Sequence, residues 1–442
     1  MLKDLTKGSV SKQIFFFALP MLLGNIFQQL YNVVDSAVVG KFLGDQALAA
    51  VGASFPVIFL LISLSFGITM GGSIVVSHYF GAKMLEKVRR TVDTMNIFII
   101  VSSFVFAAAG MIFSDKIFQL ISLPDEIVPL ASSYLRVYLA GLPFVFGFGN
   151  ISALLRGAGD SKIPLYLLIF ATLLNIALDL YFVAIRGLGI FSVALATVIS
   201  QASAFVAAIV VLRNNPLIRF HLKGLVFDKE IFKKAIKIGI PSGIQHILFS
   251  LGMMALFGIV NKFGVKVIAA YSAALRLDSL AIMPSINLAN ALSTFTGQNL
   301  AAGKIERVRK GLLTTIKMSF AISITITVIF YLFGEKLMRL FTDDPQVVEY
   351  GKQYLIIVGS FYVLFSALFS VNAVMRGAGD VIYPMIFTLI ALWVVRVPFA
   401  YFLSPVLEEK AVWWSAPAGW TVGLIMSVMY YRSGRWKKKF KL

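Results

Sequence analysis

The side chains most able to do chemistry in this sequence are two aspartates inside long apolar stretches. Asp35 is the last of four polar residues whose spacings of three, four and three place them on one face of a helix. The four are Asn25, Gln28, Asn32 and Asp35. Asp179 follows Asn175 by four residues, so this pair also shares a helix face. An ionised group at the centre of a bilayer costs at least about 2.5 to 3.5 kcal/mol, so carboxyl groups in membrane-spanning segments indicate function.

The composition indicates that these stretches do cross a membrane. Of the 442 residues, 59% are hydrophobic and only 14% are charged, which is more apolar than a soluble core requires. Charge is scarce over stretches of about 20 or more residues, the length at which a helix crosses a bilayer core of about 30 Å. Cysteine is absent, which excludes disulfides, thiolate metal sites and cysteine nucleophiles.

Apolar run lengths predict an all-α membrane protein with twelve transmembrane helices. The expected spans are residues 13–40, 47–76, 91–113, 129–154, 163–184, 189–212, 232–261, 267–296, 311–333, 348–374, 382–403 and 412–431. The first is expected to be permanent, because a secretory signal has a shorter apolar region and a small-residue cleavage site.

Lys and Arg are distributed unevenly between alternate loops. Of the 40, 28 lie in the termini and even-numbered loops, 9 in odd-numbered loops and three within spans. The positive-inside rule therefore places both termini and the central loop in the cytoplasm. This asymmetry accounts for the net charge of +19 without a nucleic-acid-binding module, and we expect no nucleic acid partner.

The sequence also contains an internal repeat. The pentapeptide RGAGD at residues 156–160 recurs at 376–380, an offset of 220, and a proline follows each copy four residues later. Pro20 and Pro241, each early in the first helix of its half, match at an offset of 221. A tight turn with positive-φ glycines and capping Arg and Asp side chains explains RGAGD better than a catalytic role.

The repeat predicts two pseudo-symmetric lobes of six helices each. We expect an N-lobe at residues 1–212, a cytoplasmic linker at 213–231, and a C-lobe with a basic cytoplasmic tail at 232–442. Because six is an even number, both lobes have the same orientation in the membrane. Two such lobes enclose a central cleft, and rocking them exposes the cleft alternately to each side, which is a transporter architecture.

These motifs resemble those of the multidrug and toxic compound extrusion (MATE) transporters. The similarity rests on the two-lobed repeat, RGAGD twice before a proline, the segment Gly297-Gln298-Asn299 and the phrase Val394 to Tyr401, and it covers essentially the whole chain. It is greatest for the DinF-like bacterial and archaeal branch, whose N-lobe carries two membrane aspartates. The resemblance implies a MATE-type fold in a bacterial or archaeal inner membrane. It also implies antiport of organic cations or amphipathic compounds against Na⁺ or H⁺, by a monomer.

The resemblance also implies a coupling site in the N-lobe. Asp35, Asn175, Asp179 and Thr197 match the family's cation site, with Asn150 as a neighbour, and Pro20 is expected to let the first helix bend. Hard oxygen ligands suit Na⁺, whereas two adjacent carboxylates raise each other's proton affinity and suit H⁺. The structural alternative is that these groups only hydrogen-bond helices together.

The C-lobe lacks this pattern. At an offset of 220, Val395 and Phe399 replace Asn175 and Asp179, and Ser250 stands where some family members carry a glutamate. The C-lobe charges in the spans include Asp278 and Arg396, which we expect to pair for structure or for substrate binding. Substrate-cleft residues are expected to be Gln28, Asn32, Tyr134 and Tyr138.

Three other functions are weighed against export. A lipid-linked precursor flippase of the same superfamily would be expected to have a cationic cleft, whereas the N-lobe here is acidic. A membrane enzyme would need a nucleophile, metal or phosphate-binding constellation, and none is visible, so no enzymatic activity and no cofactor beyond the coupling ion are expected. A channel would need a filter motif, which is also absent.

Overall fold

The computed structural model describes residues 2–120, 123–220 and 224–440, and within them the chain is almost entirely helical, with no β-strand. The α-helices are α1 (Val10–Gly81), α2 (Leu85–Leu120), α3 (Val128–Ala140), α4 (Leu142–Gly157), α5 (Lys162–Asp179), α6 (Phe191–Leu212), α7 (Lys229–Val260), α8 (Val265–Ala301), α9 (Ile305–Arg339), α10 (Pro345–Ser360), α11 (Tyr362–Gly377), α12 (Ile382–Leu389), α13 (Val397–Leu407) and α14 (Lys410–Arg432). A π-helical segment, Leu180–Ile185, continues α5, and another, Ile390–Arg396, joins α12 to α13. Short 3₁₀ helices, Asn261–Phe263 and Arg435–Lys439, follow α7 and α14.

Helix α1 provides the first two spans. Its 72 residues contain one non-helical position, Gly44, with φ 80° and ψ −176°. Glycine adopts positive φ without a Cβ clash, so a single residue interrupts the helix there. The predicted spans 13–40 and 47–76 lie on either side of Gly44, and the loop expected between them is reduced to this break.

Two of the predicted spans are bent. Helices α3 and α4 meet at 49° next to Gly141, and α10 and α11 meet at 47° next to Phe361. At the first bend Pro143 lies in the opening turn of α4, where its missing N–H cannot continue the hydrogen-bond ladder of α3. Each bent pair together is long and apolar enough to cross a membrane once.

The predicted twelve-helix fold is confirmed for the described part of the chain. Seven of its helices are long and apolar enough to span a membrane, and α1, which counts among them, supplies two spans because of Gly44. The two bent pairs add two more. Helices α8 and α14 complete the twelve; they are of spanning length, 37 and 23 residues, but less apolar.

The chain divides into two compact units. Unit 1 contains residues 2–3 and Pro20–Gly243, and unit 2 contains Asp4–Leu19 and Ile244–Leu442. The units differ from the predicted lobes in the first parts of α1 and α7. Both helices run without interruption past Pro20 and Pro241, and each passes from one unit to the other near its proline. Residues 221–223 of the predicted linker lie outside the described residues.

Unit 1 holds the beginning of α7 against the second half of α1 through glycines. A Cβ on Gly67 would lie 2.4 Å from the Gly243 nitrogen, and one on Gly71 would lie 2.1 Å from the Ala235 carbonyl oxygen. A Cβ on Gly239 would lie 2.8 Å from the Ile68 Cα. The two helix backbones are therefore in direct contact, as in helix pairs with small residues four apart on each side.

Unit 2 holds the N-terminal segment before α1 by its backbone. The Leu5 nitrogen donates to Gln298 Oε1 at 2.9 Å, and the Asn299 side chain donates to the Leu5 carbonyl at 3.2 Å. Arg307 donates to the carbonyl of Gly8 at 3.0 Å and to Asn299 Oδ1 at 2.9 Å. The Gln298-Asn299 motif thus fixes the start of α1, a structural role that its sequence does not reveal.

Both RGAGD segments form the predicted turns. Gly159 and Gly379 have φ of 86° and 83°, values that favour glycine. Asp160 Oδ1 accepts from the Lys162 and Ile163 nitrogens at 3.0 and 3.1 Å, which caps the start of α5. Asp380 Oδ2 accepts from the Tyr430 hydroxyl at 2.7 Å. The turns and the Asp160 cap are therefore confirmed, and they orient the fifth helix of each half.

Candidate functional site

The two predicted membrane aspartates meet inside unit 1. Asp35 lies in the first half of α1 and is 9% exposed, and Asp179 ends α5 and is fully buried. Their carboxyl groups are close enough to interact electrostatically, and Asn175 lies beside Asp179, one turn earlier in α5. The structure therefore brings together three of the five residues predicted for the cation site.

The polar atoms of this cluster are poorly satisfied by the protein. Among the described residues, Asp35 Oδ1, both Asp179 carboxyl oxygens and both polar atoms of Asn175 are buried without a protein hydrogen-bond partner. A buried polar group left unpaired costs about 1 to 3 kcal/mol, and more when it is charged. A bound cation relieves this cost, because it neutralises the carboxyl pair and accepts coordination from their oxygens.

The donor set fits a proton or a monovalent hard cation. It consists of carboxylate and amide oxygens, which suit Na⁺, and two adjacent carboxyls also share a proton readily. No group of three or more His, Cys, Asp or Glu residues is placed to hold a metal ion in the described part of the chain. The chemistry of Asp35, Asp179 and Asn175 is thus compatible with Na⁺ or a proton.

Local helix geometry positions Asp179. The α-helical hydrogen bonding of α5 ends at this residue, and the chain continues as the π-helical segment Leu180–Ile185. A π-helical turn widens the helix and frees backbone groups, and such segments are frequent at functional sites. The sequence carries no recognisable signal for it.

Tyrosines surround the carboxyl pair. The Tyr31 hydroxyl lies 2.9 Å from the Thr197 hydroxyl, and Tyr31 also interacts electrostatically with Asp35. Tyr134 interacts with both carboxyl groups. Sequence reasoning missed Tyr31, although it lies one helical turn before Asp35 on the same face of α1. Thr197, predicted as a ligand, is connected to the site through this tyrosine.

Asn150 is hydrogen-bonded to a neighbouring helix, and its place beside the cation site stays a prediction. It is fully buried, and its amide nitrogen donates to Asn96 Oδ1 at 2.8 Å, which connects α4 to α2. No contact between Asn150 and the carboxyl pair is found among the described residues. Its arrangement matches the structural alternative, a hydrogen bond between two helices.

The polar face of α1 is only partly interior. Asp35 is buried, whereas Asn25 and Asn32 are exposed and Gln28 is half-buried. Of the four residues on this face, only Asp35 is therefore buried by the protein itself. A period of three and four residues identifies a face but does not tell how deep it is buried at each turn.

The four residues predicted for the substrate cleft fall into two groups. Gln28 and Asn32 are accessible to a ligand on the surface of α1. Tyr134 and Tyr138 are only 5% and 7% exposed; Tyr134 interacts with both carboxyl groups, and Tyr138 interacts with Tyr134 and Tyr31. The role of the two tyrosines in a substrate cleft stays a prediction.

Pro20, the predicted hinge, lies within an unbroken stretch of α1. The helix continues through it, although proline lacks the N–H for one backbone hydrogen bond. At Pro20 helix α1 enters unit 1, and the preceding segment, Asp4–Leu19, belongs to unit 2. The position of α1 that lacks a backbone hydrogen bond is thus also the position where the helix passes from unit 2 to unit 1.

Asp278 and Arg396 lie near each other in unit 2 without forming the predicted direct pair. The Tyr362 hydroxyl donates to Asp278 Oδ1 at 2.5 Å, and Arg396 acts on Asp278 electrostatically from further away. Arg396 is 8% exposed; its Nη1 lies 3.8 Å from the Met253 sulfur, and its Nε has no partner among the described residues. The Tyr362 hydroxyl, and not the guanidinium, is hydrogen-bonded to Asp278 because α8 and α11 pack against each other.

The comparisons with known proteins agree with this fold. The MatE family model matches the chain twice, over residues 20–181 and 241–402. The two matches have equal length, begin at Pro20 and Pro241, and together cover more than half of the chain. The chain is a member of the MATE family. The internal repeat inferred from RGAGD is therefore the family's own repeat.

Relatives of this MATE protein have known names. It is similar to YoeA, with 34% identity over 98% of this chain and 96% of YoeA, and to YpnP, with 31% identity over 98% and 97%. Both are probable multidrug resistance proteins of Bacillus subtilis (strain 168). A structure titled the outward-facing conformation of a multidrug resistance MATE family transporter of the MOP superfamily is 26% identical, with a TM-score of 0.92 and 98% coverage of each chain.

The family places this protein among multi-pass membrane transporters, not enzymes. The names of its relatives support drug efflux as its class of transport. Assignment to the DinF-like branch stays a prediction, since the matches do not distinguish branches.

Proposed function

We propose that this MATE protein is a secondary antiporter that exports organic cations or amphipathic compounds in exchange for Na⁺ or H⁺. The observation that carries the proposal is the buried carboxyl pair, Asp35 and Asp179, of whose oxygens Asp35 Oδ1 and both of Asp179 are buried without a hydrogen-bond partner among the described residues. Such a pair holds a cation in a low-dielectric interior, where an unneutralised double charge is strongly unfavourable.

Antiport requires the coupling ion and the substrate to favour opposite conformations. Each ligand then weakens the apparent affinity for the other through one shared equilibrium. Asp35 belongs to the same helix as Pro20, and Tyr31 joins that helix to Thr197 of α6. Loading of the carboxyl pair therefore acts directly on α1, the helix that also presents Gln28 and Asn32 to a substrate.

A second candidate, flipping of lipid-linked precursors, is supported less well. The buried site of unit 1 carries two carboxyl groups, whereas a pyrophosphate headgroup calls for cations. The two functions differ in what a proteoliposome assay detects, because only the exporter moves a soluble cationic dye against an ion gradient.

The coupling assignment predicts a loss of gradient-driven export in two variants. Asp35→Asn and Asp179→Asn should each insert and fold, because a neutral amide replaces a carboxyl group of the same shape. Each should lose most dye transport in proteoliposomes under separately imposed Na⁺ and pH gradients, because the ion no longer has its ligand. Transport is measured by dye fluorescence.

Two controls accompany this measurement. Asp45→Asn removes an exposed carboxylate from the same helix, and Ser250→Ala changes the C-lobe position that carries glutamate in other members. Both should transport like the unmodified protein. Full dye export by folded Asp35→Asn and Asp179→Asn proteins under the same gradient would refute the assignment.

A further inference from the structure

Unit 2 contains a buried ionisable cluster that the proposed coupling mechanism does not use. Asp278 of α8 accepts a hydrogen bond from Tyr362 of α11, and Arg396 ends the π-helical segment before α13. Tyr271 and Tyr354 interact electrostatically with both Asp278 and Arg396. A carboxylate, a guanidinium and three phenols are thus collected in one apolar core.

This cluster repeats the composition of the unit 1 site with one difference in charge. Tyr134 faces the unit 1 carboxyls, and Tyr354, its repeat partner at an offset of 220, faces Asp278 and Arg396. In each unit the ionisable residue of the fifth helix lies at one end of a π-helical segment. Asp179 comes directly before Leu180–Ile185, whereas Arg396 is the last residue of Ile390–Arg396. Unit 1 presents a second carboxyl group there, and unit 2 presents an arginine.

We propose that the Arg396 guanidinium is a built-in substitute for the coupling cation in unit 2, so that this site is permanently loaded and only unit 1 exchanges an ion. The comparison with a coupling cation rests on the proposed function of Asp35 and Asp179. The site itself, a half-buried carboxylate held by a tyrosine hydroxyl with a buried guanidinium nearby, stands on the contacts of unit 2 alone.

The charges support this assignment. An arginine stays protonated at every physiological pH, so its charge cannot leave the site as a proton or Na⁺ can. Its Nε has no protein partner among the described residues, and Asp278 takes its short hydrogen bond from Tyr362 instead. Arg396 therefore contributes mainly charge to Asp278, which is the property that a bound cation would supply.

The proposal predicts that removing the guanidinium creates a cation site. In Arg396→Gln, Asp278 is a half-buried carboxylate with only neutral phenols around it, Tyr271, Tyr354 and Tyr362, so it should bind Na⁺ or a proton to regain neutrality. The variant is made in the Asp35→Asn, Asp179→Asn background, which silences the unit 1 site. Thermal unfolding of the purified chain is followed in NaCl against choline chloride and across pH.

The expected result is a melting temperature that rises by several degrees with Na⁺ or with falling pH in this variant. The background protein without Arg396→Gln should show neither dependence, nor should Arg276→Gln, which removes an exposed arginine from α8. Adding Asp278→Asn to Arg396→Gln should abolish the dependence. A melting temperature of folded Arg396→Gln that is flat in both titrations, or unchanged by Asp278→Asn, would overturn the proposal.

A second substitution covers the case in which Arg396→Gln does not fold. Arg396→His places a titratable cation at the same position, so its stabilising charge should be present at low pH and lost as pH rises through the imidazole range. Arg396→Lys should keep a pH-independent stability there. Equal dependence of the melting temperature on pH for Arg396→His and Arg396→Lys would contradict the proposal. This outcome is independent of the transport assays on the Asp35 and Asp179 variants, which test the proposed function.

Discussion

At the scale of residues, the sequence predicts the two carboxyl groups that meet in unit 1 but not the groups around them. Asp35 and Asp179 could be found because a carboxyl group in an apolar helix is costly and needs a reason. Tyr31 could not be singled out in the same way, since tyrosine is common in membrane helices and its hydroxyl partner, Thr197, lies far away in sequence. The bond of Asn150 to Asn96 could not be predicted either, because an amide can donate to a partner on any neighbouring helix.

Tyr31→Phe is expected to weaken coupling without unfolding the protein. The change removes one hydroxyl bond to Thr197, worth about 0.5 to 1.5 kcal/mol, so the apparent affinity for the coupling ion should fall several-fold. The concentration of Na⁺ or H⁺ that gives half-maximal dye export measures this shift. Tyr181→Phe, at an exposed tyrosine, serves as the control, and equal ion dependence of the two variants would remove Tyr31 from the site.

At the scale of elements, apolar run length predicts which segments are helices but not where they bend or change unit. The break at Gly44 and the bends of the α3/α4 and α10/α11 pairs all fall inside or between predicted spans. Hydropathy responds to the side chains, whereas a bend depends on backbone hydrogen bonds and neighbouring helices. The glycine contact between α1 and α7 joins segments about 170 residues apart, so no local pattern contains it.

Gly71→Ala is expected to destabilise the protein. The added methyl group would lie 2.1 Å from the Ala235 carbonyl oxygen, so the helices must separate, a type of overpacking that costs about 1 to 3 kcal/mol. Gly52→Ala in the same helix has no heavy atom within 4 Å and should be neutral or stabilising. Melting temperatures of the two variants measure the difference, and equal values would mean that the close crossing contributes nothing to stability.

At the scale of the whole molecule, the duplicated architecture was predictable because RGAGD and its following proline survive in both halves. The membrane orientation follows from the distribution of Lys and Arg and is a proposal: both termini and both RGAGD turns are expected in the cytoplasm. Local burial decides which positions can test it. Ser161, inside the first turn, is only 4% exposed, whereas the adjacent Lys162 is exposed.

Single cysteines in this cysteine-free chain should report the orientation. Cysteines replacing Lys162, Asn214 and Ser433, which are all exposed, should resist a membrane-impermeant maleimide in intact cells and react after the cells are opened. A cysteine replacing Arg186, exposed in an odd-numbered loop, should react in intact cells. Labelling of any of the first three from outside would reverse or abolish the proposed topology.

The way the two units share α1 and α7 has a consequence for biosynthesis. Asp4–Leu19 leaves the ribosome first but belongs to unit 2, whose remaining residues begin at Ile244. Unit 1 in turn is complete only when α7 has been made as far as Gly243. The other residues of unit 2 are therefore absent until more than half of the protein has been translated, and a gene cut at the central linker would encode two fragments that each lack a helical segment of their own unit.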